Sequence, residues 1–396
     1  MGHVLIALGG AFLAAGLMAR FGRRFGLPTI PLFMAAGIIF GPQTPGFVLV
    51  EAPSDLSVLA ALGLVLLLFH LGIEFSLDDL VGGGRSLLMA GATYIALNIG
   101  GGLILGFALG WGGREALVVA GVVGISSSAI ATKLLIELHR LTNPETRMIL
   151  GIVVVEDVFL ALYLAVLQPI LSGSSGAQAV KDAAVAFGFL VALVLVARFG
   201  GRVMDRVIGS DDDEILTILF IGFAVLIAGL AEELGVSDAI GAFLAGLIVA
   251  ETTVKGRVER LVLPLRDAFA AIFFFTFGLT IDPGDFGDVA GPVLLAVGLS
   301  LVLNIAAGTL VGWIGRQDRL AAANVGLTVL ARGEFSLILA SLALGAGLDE
   351  RLGPFTGLYV LILALLGPIL ASRSWLVAKL LPPALDRRAE AIARLS

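Results

Sequence analysis

The chain has 396 residues, of which 58% are hydrophobic and only 14% charged, with a mean hydropathy of +1.05 and a formal charge of -6. A soluble domain carries roughly 25% charged residues, so a surface of this make-up faces lipid, and the 52 glycines suit close helix approach there. With no cysteine there is neither disulfide nor thiol chemistry; three scattered histidines (His3, His70, His139) argue against a transition-metal centre, and no basic stripe with interleaved aromatics marks a nucleic-acid surface.

A helix needs about 20 apolar residues to span a bilayer. The first run, Val4–Ala19, has no basic n-region before it and Arg20, Arg23 and Arg24 after it. It therefore reads as a retained first span with the N-terminus outside, not a secretory signal. Twelve more runs follow: Leu27–Gly41, Leu56–Ile73, Ser86–Gly110, Ala116–Leu138, Met148–Leu171, Ala179–Ala197, Ile215–Ala231, Ala239–Ala250, Ala268–Ile281, Ala290–Ile314, Ala321–Leu344 and Phe355–Leu380. The second, ninth and tenth are short. The expected fold is an all-α membrane protein of thirteen transmembrane helices, occupying 1–396 as a single membrane domain with no appended soluble part.

Basic residues test that count, because Lys and Arg collect on the cytoplasmic side. Of the 25 present, all but Arg114, Lys181, Arg351 and the intrahelical Arg332 fall on the odd-numbered connections, on the C-terminal tail, or, for Lys133, Arg373 and Lys379, in the adjoining ends of the fifth and thirteenth spans. The opposite connections carry acids: Glu51, Asp55, Glu232, Glu233, Asp282, Asp285 and Asp288. The expectation is a multi-pass plasma (inner) membrane protein, N-terminus out and C-terminus in.

Ionisable groups at membrane depth are expensive and point to a site. The sharpest are Glu156 and Asp157 in ILGIVVVEDVFLALYLAVLQP, about 12 Å inside the sixth span at 1.5 Å per residue. Two adjacent carboxylates with no base in their own helix either line a wet cavity or share a proton. A structural pair bonded to neighbouring helices is the alternative. Arg332 and Glu334, flanking Gly333 in the twelfth span, read equally as an ion pair that orients helices or as part of a site. The run GISSSAIATK in the fifth span places Ser126, Ser127, Ser128 and Thr132 where an interrupted helix could offer hydroxyls and freed carbonyls to a cation. Serines also bind ordinary transmembrane helices to one another.

The fifth and twelfth spans are seven apart and so cross in opposite directions. Spans 1–6 and 8–13 thus form two inverted six-helix repeats with interrupted crossing helices 5 and 12, joined by span 7. Broken helices at matching places in inverted halves mark a transporter's midplane site. Asn304, polar at mid-helix, is either helix glue or a member of that site. His70 and Glu74, one turn apart, fit interfacial hydrogen bonding better than pH sensing. Asp238 reads as a helix N-cap.

With those residues in hand, the chain resembles the monovalent cation:proton antiporters, on the branch that includes the Kef-type potassium/proton antiporters. The resemblance runs the whole length: LGIEFSLDDL (71–80), SSSAIATK, AIGAFLAGLIVAET (239–252), FFFTFGLTID (273–282) and ARGEFSLI (331–338) stand in the family's order. It implies a homodimer working by elevator-type alternating access, with a dimerisation part (spans 1–3 and 8–10) and a mobile core (spans 4–6 and 11–13). It also implies that Asp157 binds the cation or proton, with Ser126 to Ser128 as ligand source. Glu156 stands where relatives have Asp, Asn or Gln, which leaves stoichiometry open. Asn304 stands where some have lysine. The Kef nucleotide-binding domain is missing, so the chain stands alone, pairs with a separate cytoplasmic regulatory subunit, or belongs to a longer protein.

The resulting expectation is exchange of Na+ or K+ for protons at Asp157, with Glu156 a second proton or charge site and Arg332 and Glu334 supporting the second break. No cofactor and no enzymatic chemistry are expected. An uncoupled cation channel is the alternative function.

Overall fold

In lipid every backbone polar group must be satisfied within its own segment or within a closed barrel. The computed structural model answers with helix alone: every regular element among its described residues is α or 3-10. It describes residues 2–25, 29–46, 48–74, 84–171, 188, 205–206, 209–233 and 238–386. The seventh expected span, apart from residue 188, and residues 75–80 of the LGIEFSLDDL motif lie outside them.

The helices are α1 (Gly2–Arg23), α2 (Thr29–Phe40), α3 (Ser57–Glu74), α4 (Gly84–Leu109), α5 (Gly113–Gly124), α6 (Ser128–Glu137), α7 (Thr146–Leu171) and α8 (Asp213–Glu233). There follow α9 (Asp238–Ala250), α10 (Lys255–Leu279), α11 (Phe286–Gly315), α12 (Arg319–Thr328), α13 (Glu334–Gly345), α14 (Leu352–Ser372) and α15 (Ser374–Ala378). Eight spans among the described residues are long and apolar enough to cross a membrane.

Two expected spans are each split into a pair of short helices. The fifth becomes α5 and α6, and the twelfth becomes α12 and α13. The tenth span differs otherwise. Its apolar part begins near Ala268, yet α10 starts at Lys255 and carries Arg257, Glu259, Arg260, Arg266 and Asp267 in its first half. Hydropathy marks only the apolar and largely buried second half, whereas the helix itself begins earlier, at Lys255, among charged side chains.

The chain divides into two compact units. Unit 1 comprises 1–18, 33–77 and 160–280; unit 2 comprises 19–32, 78–159 and 281–396. Within unit 1, α3 packs on α9 and α10. These helices meet backbone to backbone. A Cβ on Gly72 would strike the Phe243 carbonyl, and one on Gly246 would strike the Phe69 carbonyl. Gly37 of α2 and Gly278 of α10 face each other in the same way. With no water to drive helices together, such close contact is what holds them.

Unit 2 packs α4 on α5 and α11, and α11 on α12 and α14. Its buried cluster includes Ala90, Tyr94, Ala131, Leu135, Ile149, Ala307, Val325 and Val329, drawn from both broken and unbroken helices. At the end of the unit, Asp386 accepts from the Arg319 backbone (3.0 Å) and its Nε (2.6 Å), anchoring the start of α12. Those bonds, the backbone one first, hold the Asp386 carboxyl below the usual carboxylate range.

Replacing Gly246 with Val is expected to destabilise the protein by about 1–3 kcal/mol, because the added atoms press on backbone that has no rotamer to yield. Thermal unfolding of the detergent-purified variant measures this; an unchanged midpoint would mean that α3 and α9 are not in contact.

Candidate functional site

The site begins with two interruptions that bond to each other. α5 ends at Gly124 and α6 begins at Ser128, leaving Ile125 to Ser127 outside any helix, with Ile125 extended. The Ser127 N–H donates to the Ala331 carbonyl at 2.9 Å, inside the break between α12 and α13. Gly333 completes the crossing. Its φ of -157° suits any residue, but a Cβ there would run into Ser127 Cβ and Oγ, so space decides the glycine.

Four half-helix ends now meet in the interior of unit 2, each with orphan backbone groups and a partial charge. Arg332 answers both C-terminal ends. It is fully buried, and its Nε and Nη2 donate to the Val123 carbonyl at 2.9 and 2.7 Å, at the end of α5. Its Nη1 donates to the Val329 and Leu330 carbonyls at 3.0 and 2.9 Å, just past α12. Ser336 Oγ takes the neighbouring Val122 carbonyl at 3.0 Å.

Carboxylates answer the N-terminal ends. Glu156, 1% exposed, accepts from the Ser126 N–H at 2.9 Å and the Ser126 hydroxyl at 2.5 Å, beside the start of α6. Glu334, the first residue of α13, accepts from Ser127 Oγ at 3.1 Å. The sequence left open whether Arg332 and Glu334 form an ion pair that orients helices or belong to a site. The hydrogen bonds send the guanidinium to carbonyl oxygens and the carboxylate to a serine.

A neutral layer surrounds Arg332. Its Nη2 reaches Asn98 Oδ1 at 3.3 Å, and Asn304 Nδ2 donates to the same oxygen at 3.2 Å and to the Ser300 carbonyl at 2.8 Å. The Tyr94 hydroxyl lies 2.6 Å from Asn304 Oδ1 and 2.9 Å from the Val329 carbonyl, and Ser300 Oγ is 2.6 Å from the Tyr359 hydroxyl. Asn304 therefore joins the site. Tyr94, Asn98, Ser300 and Tyr359 were missed in the sequence; a tyrosine and an asparagine one turn apart in an apolar helix were the available signal.

The remaining expected residues are placed differently. Asp157 is half-buried, and one step along α7 turns it about 100° from Glu156. Ser128 is half-buried at the start of α6, and Thr132 is exposed, outside the buried network. One carboxylate with nearby hydroxyl and carbonyl oxygens suits a hard, weakly held cation better than a resident transition metal. In unit 1, His70 Nδ1 lies 3.1 Å from Arg266 Nη1 and 3.4 Å from Glu74 Oε2, an interfacial cluster.

Residues 9–373 match the family described as sodium/hydrogen exchanger, transmembrane. The chain is 37% identical over 388 residues to the K(+)/H(+) antiporter subunit KhtU of Bacillus subtilis (strain 168), covering 96% of each chain. It is 31% identical over 357 residues to the ammonium/H(+) antiporter subunit AmhT of Alkalihalophilus pseudofirmus, covering 88% of this chain and 87% of that one. Among solved structures, the sodium proton antiporter MjNhaP1 from Methanocaldococcus jannaschii superposes with a TM-score of 0.71 at 16% identity, over 94% of this chain and 99% of that one. The last likeness shows the fold.

Substituting Arg332 by Gln strands buried carbonyls at two helix ends and is expected to destabilise the protein by about 3 kcal/mol. Arg332→Lys keeps the charge but loses the forked donors, and is expected to recover only part. Thermal unfolding of both variants in detergent tests this; full recovery by lysine would show that charge alone matters.

Proposed function

This chain belongs to the sodium/hydrogen exchanger family, and on that premise we propose that it is a secondary antiporter exchanging a monovalent cation for protons at Asp157. The observation that carries the assignment is the difference between two adjacent carboxylates. Glu156 is buried and bound by both donors of Ser126, whereas Asp157 is half-buried on another face of the helix. A carboxylate that must take up and release ions needs a route for them, which partial exposure provides and full burial does not.

Coupling needs no covalent step. A single carboxylate cannot hold a proton and a dehydrated cation together, so occupancy by one ion excludes the other. Ser128 and freed carbonyls of the break are the remaining ligand source, and Arg332 with Glu334 supports the second break. The relatives KhtU and AmhT are named for potassium and ammonium, cations of similar size, which favours K+ over Na+. Both are named as subunits, which supports a separate regulatory partner here.

The finer architecture belongs to the same reading. Thirteen spans with the N-terminus outside is supported by the distribution of Lys and Arg. Two inverted repeats are supported by breaks in both the fifth and the twelfth spans. An elevator, with spans 4–6 and 11–13 moving against a dimerising part of spans 1–3 and 8–10, is supported by the division into two compact units.

Proteoliposomes with a trapped pH-sensitive dye test the proposal. An inward K+ gradient is expected to alkalinise the lumen, a Na+ gradient less so. Asp157→Asn is expected to reduce the response about a hundredfold while inserting normally, and Glu156→Gln to lower stability more than selectivity. Exchange surviving in Asp157→Asn would refute the site, and a K+ flux that moves no protons would establish a channel instead.

A further inference from the structure

We propose that unit 2 carries a seat for the phosphate group of an anionic phospholipid, formed where three helix ends converge. A cavity of about 660 Å³ opens there, lined by Arg85 at the start of α4, Arg147 at the start of α7 and Arg316 just beyond α11. None of the three has a carboxylate within ion-pair distance among the described residues. Arg257, Arg266, Arg319 and Arg351, by contrast, each pair with an aspartate. Three like charges gathered without a counter-charge repel one another unless an anion joins them, and forked guanidinium donors match phosphate oxygens.

Two local features show that the cavity is more than a chance gathering of charge. Arg316 holds a left-handed backbone conformation (φ 58°, ψ 39°) at a helix cap where glycine is usual. Beside it, Gln317 Oε1 is buried with no hydrogen-bond partner. Gln317 itself lines the cavity with the three arginines, so a charge placed on its side chain acts on any anion seated there.

The wall decides between lipid and free phosphate. Trp313 and the exposed Met89 line the same opening, so the anion's carrier meets apolar surface. The cavity also sits at the ends of the spans Arg85–Leu109, Thr146–Leu171 and Pro283–Gly315, the level at which headgroups lie. Basic pockets between transmembrane helix ends hold anionic headgroups in this way. The three arginines come from connections whose basic residues place them on one face of the membrane.

The test uses the full chain, delipidated in detergent and titrated separately with phosphatidylglycerol, phosphatidylcholine and inorganic phosphate, with bound molecules counted by native mass spectrometry. The expected result is one retained phosphatidylglycerol per chain, displaced by neither phosphatidylcholine nor phosphate. Binding should weaken at least tenfold in the Arg147→Gln/Arg316→Gln double variant. Gln317→Glu, which conserves shape and adds a negative charge, should weaken it similarly with an unchanged size-exclusion profile; it decides the matter if the double variant does not fold. Equal phosphatidylglycerol retention by the wild type and Gln317→Glu would overturn the site. Saturation by inorganic phosphate without lipid binding would overturn the lipid assignment.

Discussion

A single buried guanidinium holds together what the rest of unit 2 depends on. Breaking two helices inside a membrane frees carbonyls that neither water nor the next turn can satisfy, each at a cost of a few kcal/mol. Arg332 collects carbonyls from both breaks and supplies the positive charge that two helix C-termini favour. Its own burial is tolerable for the same reason, because partial negative charge surrounds it on every side where a donor points. Glu156 and Glu334 perform the reciprocal task at the N-terminal ends through Ser126 and Ser127. Two interrupted helices thus become one closed hydrogen-bonded assembly.

Closure has a functional side. An antiporter site must be stiff enough to discriminate among ions and open enough to load and unload them. Here the charges that maintain the framework belong to Glu156, Glu334 and Arg332, all buried, whereas Asp157 is half-buried on another face of α7. Membership of the exchanger family and the likeness of fold to MjNhaP1 are shared at the level of the helical framework in which this network sits.

Much of this was legible in the residues. Lipid-facing helices announce themselves by length and apolarity, and charged residues at membrane depth stand out against that background. Glu156, Arg332 and Glu334 were singled out on that ground, and Ser126 on the serine run behind a glycine. Partnership was not legible. Arg332 and Glu334 flank one glycine, which suggests mutual attraction, but the crossing of two chain breaks sends them to different partners. Tyr94 and Asn304, 210 residues apart, meet only because α4 and α11 pack together. Neutral polar residues are common in transmembrane helices, so neither Tyr94 nor Asn98 stood out alone. The first half of α10 escaped because hydropathy reports solvent, not helix.

The glycine contacts of unit 1 have a thermodynamic corollary. Helices joined through Gly72, Gly246, Gly37 and Gly278 touch without long side chains, so association there freezes almost no rotamers. What remains is dispersion between matched backbones, indifferent to ionic strength and to the ordering of water. A body assembled this way answers to the lateral pressure and thickness of the surrounding bilayer, and the choice of lipid becomes a determinant of its rigidity.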